Sequence, residues 1–236
     1  MERDAQWPQD AGALLAEQRR LAALRPAPWH PGPSPLTTAA AVVVAGAGGH
    51  GSAEEPAWAG AVLLRGPEVV AARVVEGVLR AAYVPALLAV REGPLLAAAV
   101  AALGEAPDVL LVAAAGRDHP RRAGLALHLG AVLDVPTVGV TDRPLVARGA
   151  MPGPGRGDSS PLLLDGAEVA RWVRTVPGVR PLVASGAWRT SAAVAADVVL
   201  AAPAGVRTPR PLREARRLAR AARSGAAASP PAGPDR

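Results

Sequence analysis

The residues able to do chemistry in this chain fall into a few short strings. Gly46-Ala47-Gly48-Gly49-His50-Gly51 follows an apolar run and has the spacing of a glycine-rich phosphate loop. A dinucleotide site of that kind needs a helix opening at the third glycine, so that its first N–H groups meet the pyrophosphate. Ser52-Ala53-Glu54-Glu55-Pro56 and a second apolar run follow instead, so the string reads as a hairpin loop. Tyr83-Val84-Pro85 stands ahead of Arg91-Glu92-Gly93-Pro94. A lone tyrosine before a helix suits a hydrophobic staple, and a helical glutamate is ordinarily solvated. Asp118-His119-Pro120-Arg121-Arg122 is a second polar cluster, in which Asp118 suits a surface position or a helix cap. Arg207, Arg210, Arg213, Arg216, Arg217, Arg220 and Arg223 recur mostly at intervals of three residues. That spacing places the later ones on one helical stripe, which is either a solvated face or a track for phosphates.

Composition narrows the classes. The 236-residue chain carries a net charge of +6, and every one of its basic side chains beyond histidine is arginine. Arginine without lysine, amid abundant Ala, Gly and Pro, fits drift in a GC-rich genome; it also fits attraction to phosphates. The absence of cysteine excludes disulfide and thiolate chemistry. With no Phe and one Tyr, the core must be built from Ala, Val and Leu, which bury less area per residue. The polar N-terminus and the interrupted apolar runs predict a cytoplasmic, monomeric protein that makes no membrane contact.

The strings must be positioned by elements legible from periodicity. Residues 11–25 have helical spacing, and the proline-rich residues 26–35 form a linker. Apolar runs at 39–45, 59–64 and 69–75 predict an antiparallel three-strand meander. A helix over 85–103, a buried strand over 109–113, a helix over 121–133 and a strand over 135–140 follow. Residues 149–160 read as a loop. Strands are predicted around 162–164, 168–174 and 180–184, then a helix over 191–201 and a basic, partly helical stretch over 207–224. The expected fold class is α/β: a mixed central sheet, meander first and parallel strands next, flanked by helices. The expected organisation is an N-terminal helix and linker over 1–35, one domain over 36–222 and a disordered tail over 223–236.

The order and spacing of these strings resemble the endonuclease V family. That family writes P-Y-I-P-G-L-L-A-F-R-E-G-P where this chain has Ala82 to Pro94, and V-D-G-H-G-x-A-H-P-R-R where it has Val112 to Arg122. Its L-D-L-P-T-I-G-V-A-K corresponds to Leu133 to Asp142. The likeness extends upstream to Glu17-Gln18 and downstream through Gly178-Val179-Arg180-Pro181 and Arg207-Thr208-Pro209-Arg210-Pro211, covering roughly residues 10–220. It implies a ribonuclease H-like fold and Mg²⁺-dependent phosphodiester hydrolysis near a deaminated base, hypoxanthine or inosine, in DNA or RNA. Mg²⁺ is a hard cation that needs converging oxygen ligands. By the resemblance, Glu92 and His119 are the catalytic remnants, with Glu92 also a metal ligand. Tyr83, Pro85, Gly116 and His128 contact substrate, and Arg121, Arg122, Arg207 and Arg213 contact phosphates.

The same correspondence marks losses. The family's first-strand Asp falls at Gly48, its second Asp at Ala113, its Lys at Asp142 and a His at Trp188, and the glycine after the wedge proline is Ala86. Two of three anchoring carboxylates have thus gone, so Mg²⁺ binding and cleavage are expected to be lost or much weakened while nucleic-acid binding persists. Two alternatives stand beside this: an active nuclease whose metal site is rebuilt from Glu92, Asp118 and Asp142, with His50 nearby, and a non-catalytic interaction scaffold. Asp108, kept from the pattern, is read as supporting the start of a strand.

Overall fold

In a computed structural model the described residues are 7–32, 36–46, 51–202 and 205–225. The Val-rich run over Thr37–Ala45 (β1) pairs antiparallel with Glu55–Arg65 (β2), which pairs antiparallel with Glu68–Leu79 (β3). The expected meander is therefore present, with longer strands than the apolar runs alone define. After helix α2 (Leu88–Ala101), Val109–Val112 (β4) returns parallel to β1, and after α3 (Leu125–Leu133), Thr137–Thr141 (β5) runs parallel to β4. The strands Ser159–Leu164 (β6), Ala167–Val173 (β7) and Leu182–Gly186 (β8) complete an eight-stranded sheet of order β3-β2-β1-β4-β5-β8-β7-β6. This mixed α/β sheet is the ribonuclease H-like arrangement.

Strand alternation divides the core. Ala39, Ala41, Leu110 and Val112 point to one face, where α1 (Ala11–Ala23), α2 and α3 pack. Ala40, Val42, Val109 and Leu111 point to the other, under α4 (Ala192–Ala201) and α5 (Arg210–Arg223). The N-terminal helix is part of this body: Leu14 and Leu21 are fully buried in the first core. Small side chains let the layers approach closely. At Gly60 in β2, a β-carbon would lie 2.1 Å from the Ala215 carbonyl oxygen, so α5 rests directly on the strand backbone. No helix among the described residues is long and apolar enough to cross a membrane.

Two helices start later than their apolar pattern predicts. The helix expected from residue 85 begins at Leu88, because Ala86 adopts a left-handed φ of 64°. The helix expected from 121 begins at Leu125, because Asp118 to Gly124 form a chain of tight turns. Both loops carry site residues. Asp108 does support the start of a strand: its Oδ2 accepts from the Thr37 N–H at 2.7 Å and the Thr37 hydroxyl at 2.9 Å. Gly48 and His50 lie outside the described residues, as do the terminal residues from 226 onward.

One buried ion pair ties the meander to α2. Arg91, 5 % exposed, donates to Glu55, 3 % exposed, and to the carbonyls of Ser52 (2.6 Å) and Ala81 (2.5 Å). Both charges depend on each other for solvation, so removing one strands the other in the core. Glu55→Ala is therefore expected to lower unfolding stability by about 3–5 kcal/mol. Urea denaturation measures this, and a loss below about 1 kcal/mol would refute the assignment.

Candidate nucleic-acid interface

The loop entering α2 is fixed by one backbone oxygen. The Ala86 carbonyl accepts from Gln18 Nε2 at 3.1 Å, His119 Nε2 at 3.0 Å and Arg121 Nη2 at 3.0 Å. Arg121 Nε also donates to Gln18 Oε1 at 2.5 Å, and the Arg121 backbone N–H donates to His119 Nδ1 at 3.2 Å. These partners assign the His119 tautomer: Nε2 carries the proton and Nδ1 accepts. Burial pushes the His119 pKa down to about 4, against the opposing pull of the Ala86 carbonyl, so the ring is neutral at neutral pH. The loop so held presents Tyr83, which is 57 % exposed, at the rim; its N–H donates to the Gly51 carbonyl at 2.5 Å.

Beneath Tyr83 opens a cavity of about 570 Å³. One wall is the Tyr83–Leu88 loop with His119, a second is Ala113 to Ala115 with Gly124 and Leu125, and the third is Thr141 to Leu145. The third wall hangs from Asp118, which is 1 % exposed. Its carboxylate accepts the N–H groups of Leu145 (2.7 Å), Val146 (2.9 Å) and Ala147 (2.8 Å). Asp142 at the rim pairs with Arg207 at 2.5 Å, so the reversed charge is largely met within the protein.

A smaller cavity of about 220 Å³ adjoins the first, sharing Tyr83, Leu88, Ala113, Ala114 and Leu125. It sits where β1 and β4 run out, the usual position for ligands in sheets with parallel strands. Ala41, Val43 and Val112 line it from the sheet, Glu92 from α2 on one face and Arg216 from α5 on the other. Burial raises the Glu92 carboxyl to a pKa of about 7, partly offset by the Arg91 charge.

The sequence model of endonuclease V matches residues 34–217. The chain belongs to the endonuclease V family. Endonuclease V of Xanthomonas axonopodis pv. citri (strain 306) is 39 % identical over 131 residues, 56 % of this chain and 55 % of that protein; the chain thus spans about half the length of the curated relatives it matches. In three dimensions the likeness is wider. The crystal structure of endonuclease V from Streptomyces avermitilis superposes with a TM-score of 0.82 at 34 % identity, covering 94 % of this chain and 96 % of that one. The endonuclease V of Ciona intestinalis, solved in complex with a 24mer DNA containing an inosine followed by a ribo-adenosine, shares the fold, with a TM-score of 0.74 at 20 % identity over 91 % and 98 % of the chains.

Against the endonuclease V motifs, the structure sorts the predicted residues. It brings Tyr83, Glu92, His119 and Ala113 around the two cavities. Pro85 is exposed on the rim loop. Gly116 packs against β8, where a β-carbon would meet the Gly186 carbonyl oxygen at 2.4 Å, and His128 is buried, stacked on Trp7 with ring centroids 4.7 Å apart. Trp188 packs against the first core with its indole N–H on Asp134 (3.1 Å), outside both cavities. Arg121 is committed to Gln18 and Ala86, Arg122 to Asp165 and Arg207 to Asp142, whereas Arg213 is exposed on α5.

The residues present do not fit a divalent cation. The register of β1 puts Val43, on the same face as Ala39 and Ala41, beside Glu92. Gly48, the position read as the replaced first-strand carboxylate, follows the end of the strand in sequence and lies outside the described residues. Among the described residues Glu92 is the one carboxylate that lines the cavity, and the positive charge of Arg216 disfavours a dication. Asp118 is buried and not at the surface or on a helix cap, and its oxygens are spent on three N–H groups. Among the described residues there is no group of three or more His, Cys, Asp or Glu able to hold a metal. The rebuilt metal centre therefore loses its proposed ligand. The sequence reading gave Gln18 and Val43 no role in the site. The signal for Gln18 was a polar residue on the Leu14–Leu21 apolar stripe, buried to 1 %.

Two outcomes follow. Ala86 holds a φ that an L-residue adopts at about 1–2 kcal/mol, so Ala86→Gly is expected to stabilise the protein by roughly 0.5–1 kcal/mol after the larger unfolded-state entropy of glycine is counted. A destabilised variant in urea melts would contradict this. Because the folded-state pKa of Glu92 is raised, its contribution favours folding below about pH 4.5 and is lost as pH rises through about 7. Relative to the parent, Glu92→Gln should therefore gain roughly 3 kcal/mol of stability between pH 4.5 and pH 8. Equal pH profiles for the two proteins would show that the carboxyl is not desolvated.

Proposed function

We propose that this endonuclease V family member binds nucleic acid at a deaminated base without Mg²⁺-dependent cleavage. The observation that carries the reading is the cavity at the ends of β1 and β4, where Val43 and Ala113 accompany Glu92, its one carboxylate among the described residues. Phosphodiester hydrolysis by a metal needs oxygen ligands that fix the ion and its water. This cavity offers one carboxylate and a guanidinium. The binding half of the activity keeps its parts. Tyr83 stands exposed at the rim, where its ring can stack on a base or fill the gap left by one turned out of the helix. The 570 Å³ cavity below accepts a planar base between apolar walls from Ala113–Ala115 and Leu88, with polar groups of Thr141 and Gln18 at its edges. The inosine-containing DNA in the Ciona complex supports hypoxanthine as the base to test first.

Fluorescence anisotropy with inosine-containing and matched adenosine-containing oligonucleotides, DNA and RNA, measures binding; gel analysis with Mg²⁺ and Mn²⁺ measures cleavage. Tighter binding of the inosine strands with no product is expected, and Tyr83→Ala should weaken it by about 5- to 100-fold, the worth of one stacked base. Metal-dependent nicking that disappears in Glu92→Ala would sink the proposal.

A further inference from the structure

The geometry points to Arg216 as a phosphodiester-binding residue that brings a positive charge to the cavity a divalent ion would need. This inference rests on the nucleic-acid reading above and adds to it the group that receives the backbone. Arg216 is half-buried and lines the cavity from the α5 side, across the sheet from Glu92 on α2. Its helix is held in place: Ala215, fully buried, lies against Gly60 at backbone contact, which fixes where the next residue of α5 sits over the sheet.

The Arg216 guanidinium differs from most around it in having no hydrogen-bond or ion-pair partner among the described residues. Arg210 donates to the Pro67 carbonyl, Arg213 to that of Thr208, Arg217 to Glu214 and Arg223 to the Ala45 carbonyl. Arg216 makes no hydrogen bond or ion pair to any described residue, although it lies in a partly enclosed space where a charge is stabilised best by an anion. A guanidinium is permanently charged and presents paired N–H donors that match two oxygens of a phosphate. It neutralises a phosphate oxygen as a metal does but cannot polarise a bound water, so it holds the backbone without cutting it. One turn further along α5, the Arg220 guanidinium is exposed, has no hydrogen-bond partner among the described residues and does not line the cavity, so it is the matching charge outside it.

The test compares the full chain with Arg216→Ala, Arg216→Lys and, as an exposed-charge control, Arg220→Ala. Affinity for an inosine-containing single strand is measured by anisotropy in EDTA and in Mg²⁺, across a salt series. The expected result is equal affinity in EDTA and Mg²⁺ for the parent and a loss of about tenfold in Arg216→Ala. Arg216→Lys should recover it only in part, because the charge returns without the paired donors. The slope of log affinity against log salt should shrink by about 0.7 for one lost phosphate on a single strand. Binding by the parent with Arg216→Ala no weaker than Arg220→Ala would overturn the site while leaving the nucleic-acid reading intact. If the parent binds no oligonucleotide, NMR of the arginine Nε–H signals during titration with inorganic phosphate decides: a shift of the Arg216 signal, assigned by its loss in Arg216→Ala, keeps the anion site and removes the nucleic-acid reading. An unmoved signal removes both.

Discussion

The site hangs on the carbonyl oxygen of Ala86. Three donors from two distant parts of the chain, Gln18 on α1 and His119 and Arg121 on the turns before α3, converge on it. Such convergence holds a short loop in a backbone geometry that an alanine adopts at some cost, because three donors would lose their shared acceptor if the loop relaxed. Everything that presents Tyr83 follows from this anchor. It also accounts for the neutral His119: a protonated ring would place a second charge beside Arg121 in a buried position and would lose Nδ1 as an acceptor for the Arg121 N–H. The motif that in sequence looks catalytic therefore has a positioning task that survives whatever happens to the chemistry next door.

The two cavities rest on different constraints. The base-sized one is walled by backbone, by Asp118 holding the Leu145–Ala147 N–H groups, and by small side chains; it tolerates little change without collapsing a wall. The smaller one is defined by side-chain chemistry at the ends of two strands, where Val43 and Ala113 add apolar surface to the sheet. Apolar residues at strand ends extend the packed core, whereas several carboxylates held together without a metal repel one another.

The sheet was legible because its signals are local. Val-rich β1, the paired runs of β2 and β3 and the helix–strand alternation from α2 to β5 each follow from period and flanking turn residues, and the family motifs add the topology. The starts of α2 and α3 were not legible, because Ala86 in a left-handed conformation and the turns around Asp118 are imposed by tertiary hydrogen bonds that no periodicity records. The same reason hid the role of Asp118, whose partners are 27 to 29 residues away. The part played by Val43 was hidden for another reason: an apolar residue in a Val-rich strand gives no sign that it shares a cavity with Glu92. Arg216 was visible as one charge in a basic stripe; that it lines the cavity depends on how α5 seats against Gly60.

That seating has a mechanical consequence. A side chain at position 60 would run into the α5 backbone at Ala215 and Ala219, lift the helix off the sheet and draw Arg216 away from the strand ends, so the depth of the smaller cavity is set by a glycine that does not line it.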